Sequence, residues 1–216
     1  MLKDHLFFVR EFVSRFRETG AVFPTSKWAA DALSKPVHRY HKDPLNILEA
    51  GPGTGSVTFR LLKFMSQQDT LTICEINPRF MKRLRTKLLD CPDYLRHRDR
   101  VHFFTGPVQE LPEYQKFDVI VCAIPFLNLD LQTVKQIFDK FERLSTEKTL
   151  MTYYEFLGLR SLSMFASAPS RRRRVRELNR YFQELFGRCR PKTTSVWRNL
   201  TPIKVYTMNV ASNGSC

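Results

Sequence analysis

Three closely spaced glycines and two carboxylates have the spacing expected of a site for a nucleoside-containing ligand. Gly51, Gly53 and Gly55 follow a short apolar run that ends with Glu49, and a helix start follows them. Glycine permits a sharp turn and a close approach of the backbone to a ligand, and the free N–H groups of the helix start point at that position. Glu75 closes the next apolar run, where a carboxylate suits a ribose diol.

The glycine spacing differs from the G-x-G-x-x-G of dinucleotide-binding folds. An acid stands two residues before the first glycine, and single residues separate the three glycines. This pattern resembles the first motif of class I S-adenosylmethionine methyltransferases. The resemblance implies S-adenosylmethionine as cofactor, with Glu49 at its amino-acid end and the glycines along its sulfonium and ribose. The cofactor-binding residues predicted in this way are Glu49, Gly51, Pro52, Gly53, Gly55, Glu75, Ile76, Val108, Gln109, Ala123 and Ile124.

Two turns depart from patterns of that superfamily. Many relatives carry Gly-Asp-Ala after the third strand, where the Asp meets the adenine amine, whereas this chain has Gly106-Pro107-Val108-Gln109. Either the Val108 backbone or Gln109 would replace that contact. In base N-methyltransferases the turn after the fourth strand begins with a polar residue that accepts from the exocyclic amine. Here it begins with Ala123, and losing such a bond costs roughly 1–3 kcal/mol when buried, which argues against an adenine target.

The predicted acceptor site lies at the ends of the fourth and fifth strands, because ligands of open α/β sheets sit beyond the carboxyl ends of the strands. Tyr153, Tyr154 and Glu155 are the candidates for handling the acceptor's proton, and each could equally be a packed strand residue. Phe126 is a candidate aromatic wall for a cationic amine. Arg198, like Arg160, could hold a phosphate with a bidentate fork or lie on the surface.

Apolar strands and amphipathic helices alternate from residue 45 onward. This order predicts an α/β fold of the doubly wound, Rossmann-like class. The methyltransferase resemblance adds a mostly parallel seven-stranded sheet, helices on both faces and a C-terminal antiparallel hairpin. We expect N-terminal amphipathic helices and a linker at 1–44, the cofactor-binding domain at 45–210 and a disordered tail at 211–216. The stretch from Pro36 to Pro44 is predicted to be a polar linker.

The chain of 216 residues is strongly basic, with a net charge of +14 and a pI near 9.9. This charge indicates a polyanionic partner, either nucleic acid or an anionic membrane face, or else a merely soluble basic protein. Residues 2–18 read as a basic amphipathic helix that could lie in a membrane interface or pack on the core. Residues 170–188 form a second such segment. The sequence has no bilayer-length apolar run, no metal-binding pattern and no CxxC pair, so a reducing cytoplasm is expected.

Several stretches over most of the chain resemble the bacterial phospholipid N-methyltransferases, which methylate phosphatidylethanolamine. They are Arg17–Ser26, Glu49–Gly55, Glu75–Pro78, Ile124–Leu129, Gly158–Ser161 and Val196–Pro202. The resemblance implies stepwise methylation of a lipid head-group amine by a cytoplasmic enzyme, peripheral on the inner face of the membrane, with helix 2–18 touching anionic lipid. An ornithine lipid stays open as acceptor, and an RNA (adenine) methyltransferase or a basic RNA-binding protein is the rival; the ribosomal RNA adenine dimethyltransferases are a more distant resemblance.

Overall fold

A computed structural model describes residues 26–39, 43–157, 169–199 and 202–210. Its seven strands form one sheet in the order β3-β2-β1-β4-β5-β7-β6, and β7 alone runs antiparallel to the other six. The strands are β1 Asn46–Ala50, β2 Thr70–Glu75, β3 Val101–Thr105, β4 Phe117–Cys122, β5 Ser145–Phe156, β6 Lys192–Val196 and β7 Ile203–Met208. This topology confirms the predicted doubly wound sheet with its C-terminal antiparallel hairpin.

Helices cover both faces of the sheet. They are α1 Lys27–Arg39, α2 Ser56–Phe64, α3 Pro78–Leu88, α4 Pro92–His97, α5 Leu131–Arg143 and α6 Pro169–Cys189, with single 3-10 turns at Arg98–Arg100, Val108–Glu110 and Phe126–Asn128. Side-chain caps fix two of the starts. Asn77 accepts from the N–H of Arg79 at 2.9 Å before α3, and Asp130 accepts from the N–H of Thr133 at 2.9 Å before α5. Such caps satisfy N–H groups that a helix start leaves unpaired.

The central strands are apolar on both faces because a helix layer lies over each. Ile120 belongs to the hydrophobic cluster beneath α5 and α6, whereas Val119 and Val121 belong to the cluster beneath α1, α2 and α3. Successive strand residues point to opposite faces, so residues next to each other in sequence contribute to different layers. Cys74 and Cys122 are buried free thiols in these strands.

Helix α1 extends further than the sequence indicates. Ser26 caps its start, since the Ser26 hydroxyl accepts from the N–H of Ala29 at 3.3 Å. The prediction that a linker begins at Pro36 is wrong, because the helix continues through that proline to Arg39. The proline forgoes one helical hydrogen bond, but Val37 and Leu33 are fully buried. Burial of side chains of this size stabilises by about 1.5–3 kcal/mol each, which offsets that loss.

Helix α6 confirms the helix predicted at 170–188. Its apolar stripe packs on the core through Val175, Leu178, Phe182 and Leu185, all of them buried. The opposite face is exposed and basic, so this segment presents charge rather than apolar surface to solvent. The helix predicted at 2–18, the residue Arg160 and the tail predicted at 211–216 lie outside the described residues. Among the described helices, none combines the length and the apolar character needed to cross a membrane.

Candidate cofactor and acceptor site

The glycine bend between β1 and α2 uses left-handed backbone at all three glycines. The φ angles are +77° at Gly51, +55° at Gly53 and +91° at Gly55. A Cβ would lie 3.0 Å from Cγ1 of Ile124 if added at Gly51, and 2.5 Å from Cδ1 of Leu84 if added at Gly55. At Gly53 it would meet no heavy atom within 4 Å. Two glycines therefore permit close packing, and the third leaves open space at the tip of the bend.

Backbone hydrogen bonds fix this bend at the reversal of the strand order. The N–H of Gly51 donates to the carbonyl of Cys74, and the N–H of Ala123 donates to the carbonyl of Ala50, each at 2.9 Å. The ends of β1, β2 and β4 are thereby joined at one point. Open α/β sheets bind ligands at such a switch point, beyond the carboxyl ends of the strands.

Glu49 is completely buried beneath the bend. Its Oε2 accepts from the hydroxyl of Thr58 at 2.7 Å, and its Oε1 has no hydrogen-bond partner. Burial, with a smaller contribution from the nearby Glu75 carboxyl, raises the pKa of Glu49 from 4.5 to about 8. An unpaired buried oxygen costs about 1–3 kcal/mol, and a cationic ligand group reaching this atom would remove that cost. The sequence analysis did not identify Thr58 as a site residue. The feature that could have identified it is its position in the first turn of the helix that follows a buried acid.

Glu75 connects the bend to the start of α3. Its Oε2 accepts from the N–H of Gly53 at 3.3 Å, and its Oε1 accepts from the N–H of Asn77 at 2.8 Å. Burial raises the pKa of this carboxyl, while these N–H donors act in the opposite direction. The structure therefore brings both predicted acids to the same bend. Asn77, which caps α3 and donates to Glu75, was missed at the level of sequence.

The residues predicted to meet the adenine lie beside the end of β2. The N–H of Gly106 donates to the Glu75 carbonyl at 3.1 Å, and the 3-10 turn Val108–Glu110 follows. Val108 is buried, whereas Gln109 and Ile76 are half-buried. A contact from Gln109 or from the backbone of Val108 to adenine stays a prediction.

The turn that begins with Ala123 after β4 is the predicted acceptor turn, and it packs directly onto the glycine bend. Ala123 and Ile124 are half-buried, and Ile124 makes the close approach to Gly51 described above. Phe126 is instead buried in the core, with ring centroids 5.1 Å from Phe138 and 5.9 Å from Phe182. In this structure the Phe126 ring therefore does not form an open aromatic wall for an amine.

The pleat of β5 separates the three predicted proton-handling residues. Tyr153 packs against α6 and its hydroxyl donates to Glu155 on the same side of the strand, whereas Tyr154 packs with the opposite layer. Glu155 accepts from two tyrosine hydroxyls, at 3.4 Å from Tyr153 and 3.3 Å from Tyr206. These two tyrosines are a cross-strand pair whose rings stack at 4.9 Å. The structure thus groups Glu155 with Tyr153 and with the unpredicted Tyr206, and it excludes Tyr154 from that group.

Arg198 lies in the turn between β6 and β7, outside the glycine bend. Its side chain is exposed, and its Cζ is 5.6 Å from the centroid of the Trp28 ring. The adjacent Asn199 accepts from the N–H of Ser26 through Oδ1 at 3.0 Å, which ties this turn to the start of α1. The turn and α1 therefore form one unit at the carboxyl edge of the sheet.

Comparison with known proteins agrees with this geometry. Residues 47–148 match the sequence model of the family described as "Methyltransferase domain". A "Probable dimethyladenosine transferase" from Caenorhabditis elegans is 32% identical over 80 residues, which is 37% of this chain and 23% of that protein. The chain therefore matches about a quarter of the length of that curated relative.

Solved structures with the same fold include a proposed caffeoyl-CoA O-methyltransferase from Staphylococcus aureus, with a TM-score of 0.65, 15% identity and coverage of 92% of this chain and 91% of that one. The O-methyltransferase from Bacillus cereus, in complex with SAH, has a TM-score of 0.62, 17% identity and coverage of 93% and 90%. At such identities the likeness establishes the fold. The described chain thus has the fold of these methyltransferases, and its residues 47–148, which include the glycine bend, match a methyltransferase-domain model.

Proposed function

We propose that this protein is an S-adenosylmethionine-dependent N-methyltransferase whose acceptor is the head-group amine of a membrane lipid. The acceptors that we propose are phosphatidylethanolamine and its methylated intermediates. The observation that carries the donor half is the convergence of Glu49, Glu75 and three left-handed glycines at the switch point of the sheet. The acceptor half rests on the sequence resemblance, on the net charge of +14 and on the apolar start of the acceptor turn.

The donor is held by groups that already stand in place. The free oxygen of Glu49 would take the ammonium of its amino-acid end, and the Glu75 carboxylate would take the ribose hydroxyls while retaining Asn77. When bound, the donor supplies an electrophilic methyl group on a sulfonium. The open side of Gly53 is where its backbone can approach a ligand without a clash.

The chain must orient the acceptor nitrogen and accept its proton. Orientation of two reacting groups can supply roughly 7–11 kcal/mol of the barrier. For an amine with a pKa of about 10.4, deprotonation at neutral pH costs roughly 4–5 kcal/mol. Glu155, held by the hydroxyls of Tyr153 and Tyr206, is the carboxylate we assign to receive this proton.

The decisive experiment follows the label from methyl-labelled S-adenosylmethionine. The full chain is incubated in parallel with mixed lipid extract and with total RNA, and the labelled species is identified by chromatography. We expect label in methylated amino lipids and its loss in Glu75→Gln. Label confined to RNA would reject the lipid acceptor and keep the donor site, whereas the absence of donor binding by calorimetry would reject both.

RNA adenine methylation is the second candidate, because the curated relative that the chain matches is described as a dimethyladenosine transferase. The basic exposed face of α6 would serve equally well against phosphates. Against this candidate stands Ala123, which offers no side-chain acceptor to an exocyclic amine. Introducing Asn at this position separates the two candidates, since Ala123→Asn should improve an adenine acceptor and should not improve a lipid amine.

A further inference from the structure

We infer that Lys27, Trp28, Trp197 and Arg198 form a membrane-docking face that inserts two indole rings into the head-group layer of an anionic bilayer. We call these four residues the indole face. The inference rests on the proposed function, since it names the surface through which the proposed lipid acceptor reaches the site. It concerns residues that have no part in the predicted donor site.

Both tryptophans of the chain are exposed, which is unusual for the largest apolar side chains. Trp28 is 42% exposed and Trp197 is 72% exposed, although the core buries most of the other large apolar residues described. Tryptophan combines a large apolar ring with a polar N–H, and this combination favours the boundary between hydrocarbon and water. Exposed apolar surface next to a site is typical of an interaction surface.

The sheet topology places both rings at the carboxyl edge. Val196 of β6 pairs with Ile203 of β7, and Ile203 pairs with Phe156 at the end of β5. The turn with Trp197 and Arg198 therefore projects from the edge at which the strands of the glycine bend also end. Because Ser26 is hydrogen-bonded to Asn199, the first turn of α1 with Trp28 lies against this same turn.

Cations from both segments flank the Trp28 ring. The Nζ of Lys27 is 4.6 Å from the centroid of the Trp28 ring, and the Cζ of Arg198 is 5.6 Å from it on the other segment. Lysine and arginine reach phosphates while their stems cover apolar surface. The mixture of indoles and cations is therefore complementary to an anionic head-group layer above acyl chains.

Tryptophan emission reports on the indole face alone, because the chain has only these two tryptophans. The full chain is titrated with vesicles of phosphatidylcholine and phosphatidylglycerol in equal parts, with and without phosphatidylcholine brominated on its acyl chains. We expect emission to shift to shorter wavelength and to be quenched by the brominated lipid. Trp28→Phe and Trp197→Phe, each of which retains one reporter, should both retain the response.

Vesicle sedimentation compares the binding of matched variants. Trp28→Ala with Trp197→Ala should weaken binding by about tenfold, and Lys27→Ala should weaken it by about fivefold. Tyr114→Ala is the control, since Tyr114 is 88% exposed and precedes β4 at the opposite edge of the sheet. Thermal unfolding of each variant confirms that it is folded before it is compared.

Emission that stays unchanged, whether or not the protein pellets with vesicles, overturns the inference. Emission that responds to RNA and not to vesicles assigns the indole face to nucleic-acid binding and also overturns the inference. A short-chain amino lipid dispersed in detergent keeps the two proposals separate. Methylation of that lipid without an emission response to vesicles retains the proposed function and rejects the docking face, whereas an emission response without methylation does the reverse.

Discussion

At the scale of single residues, the site depends on how two buried carboxyls are paired. Both carboxylate oxygens of Glu75 accept hydrogen bonds from backbone N–H groups. One oxygen of Glu49 accepts from the Thr58 hydroxyl, and the other has no hydrogen-bond partner. The two acids are alike in sequence context, since each ends an apolar strand. Their different hydrogen bonding gives Glu75 a structural part in the bend and leaves Glu49 able to respond to a cation.

Glu49→Gln should flatten the dependence of stability on pH. The folded chain holds the Glu49 proton more tightly than the unfolded chain, so stabilisation present below pH 4.5 is lost as pH rises towards about 8. Glutamine retains an oxygen for Thr58 and does not titrate. Melting temperatures of both proteins across this range check the prediction, and parallel profiles would contradict it.

Arg198→Ala should raise the Michaelis constant for vesicle substrate and change the turnover number little. Arg198 is exposed and touches Trp28 rather than the glycine bend, so under the proposed function we assign it to binding of the acceptor and not to methyl transfer. Arg198→Lys, which keeps the charge without the planar fork, should restore part of the loss. An unchanged Michaelis constant in Arg198→Ala would remove this residue from the acceptor site.

At the scale of elements, the bend works because three strands and two helices meet there with little spare room. Gly55 lies against Leu84 of α3, and Gly51 lies against Ile124 of the acceptor turn. Helix α1 is attached to the same sheet, because the hydroxyl of Thr152 in β5 donates to the carbonyl of Leu33 at 2.8 Å. The helix predicted to precede a linker is therefore part of the scaffold behind the site.

Gly55→Ala and Gly53→Ala should separate stability from donor binding. At Gly55 the left-handed backbone and the clash with Leu84 together should cost about 2–5 kcal/mol of unfolding free energy. Gly53 has open space, so only the backbone cost of about 1–2 kcal/mol applies, while donor affinity should fall more than stability. Denaturant unfolding and donor calorimetry on each variant test this, and equal stability losses would refute it.

At the scale of the whole molecule, the two edges of the sheet differ in character. The carboxyl edge carries the glycine bend, the acceptor turn and the indole face, while the exposed Tyr114 lies at the amino edge. Since the bend connects β1, β2 and β4, a ligand bound there should stabilise the central sheet as one unit.

The donor should therefore raise the melting temperature of the entire domain. At a donor concentration of about 100 times its dissociation constant the gain is about 2.7 kcal/mol, which is about 5–10 °C for a domain of this size. Differential scanning calorimetry with the donor or its demethylated product measures this shift. Glu75→Gln should show a smaller shift at the same donor concentration, and an equal shift would show that Glu75 does not contact the ligand.

The sequence by itself determined the order of the elements and the bend, because apolar periodicity and the glycine spacing are local. Strand β1 begins at Asn46 and a helix starts directly after the glycine bend, as the sequence predicted. Only the tertiary structure decided which side chains meet. It carried α1 through Pro36 because Val37 is buried, and it placed Phe126 in the core. It also grouped Glu155 with Tyr206, 51 residues away, through a cross-strand pairing that no local pattern specifies.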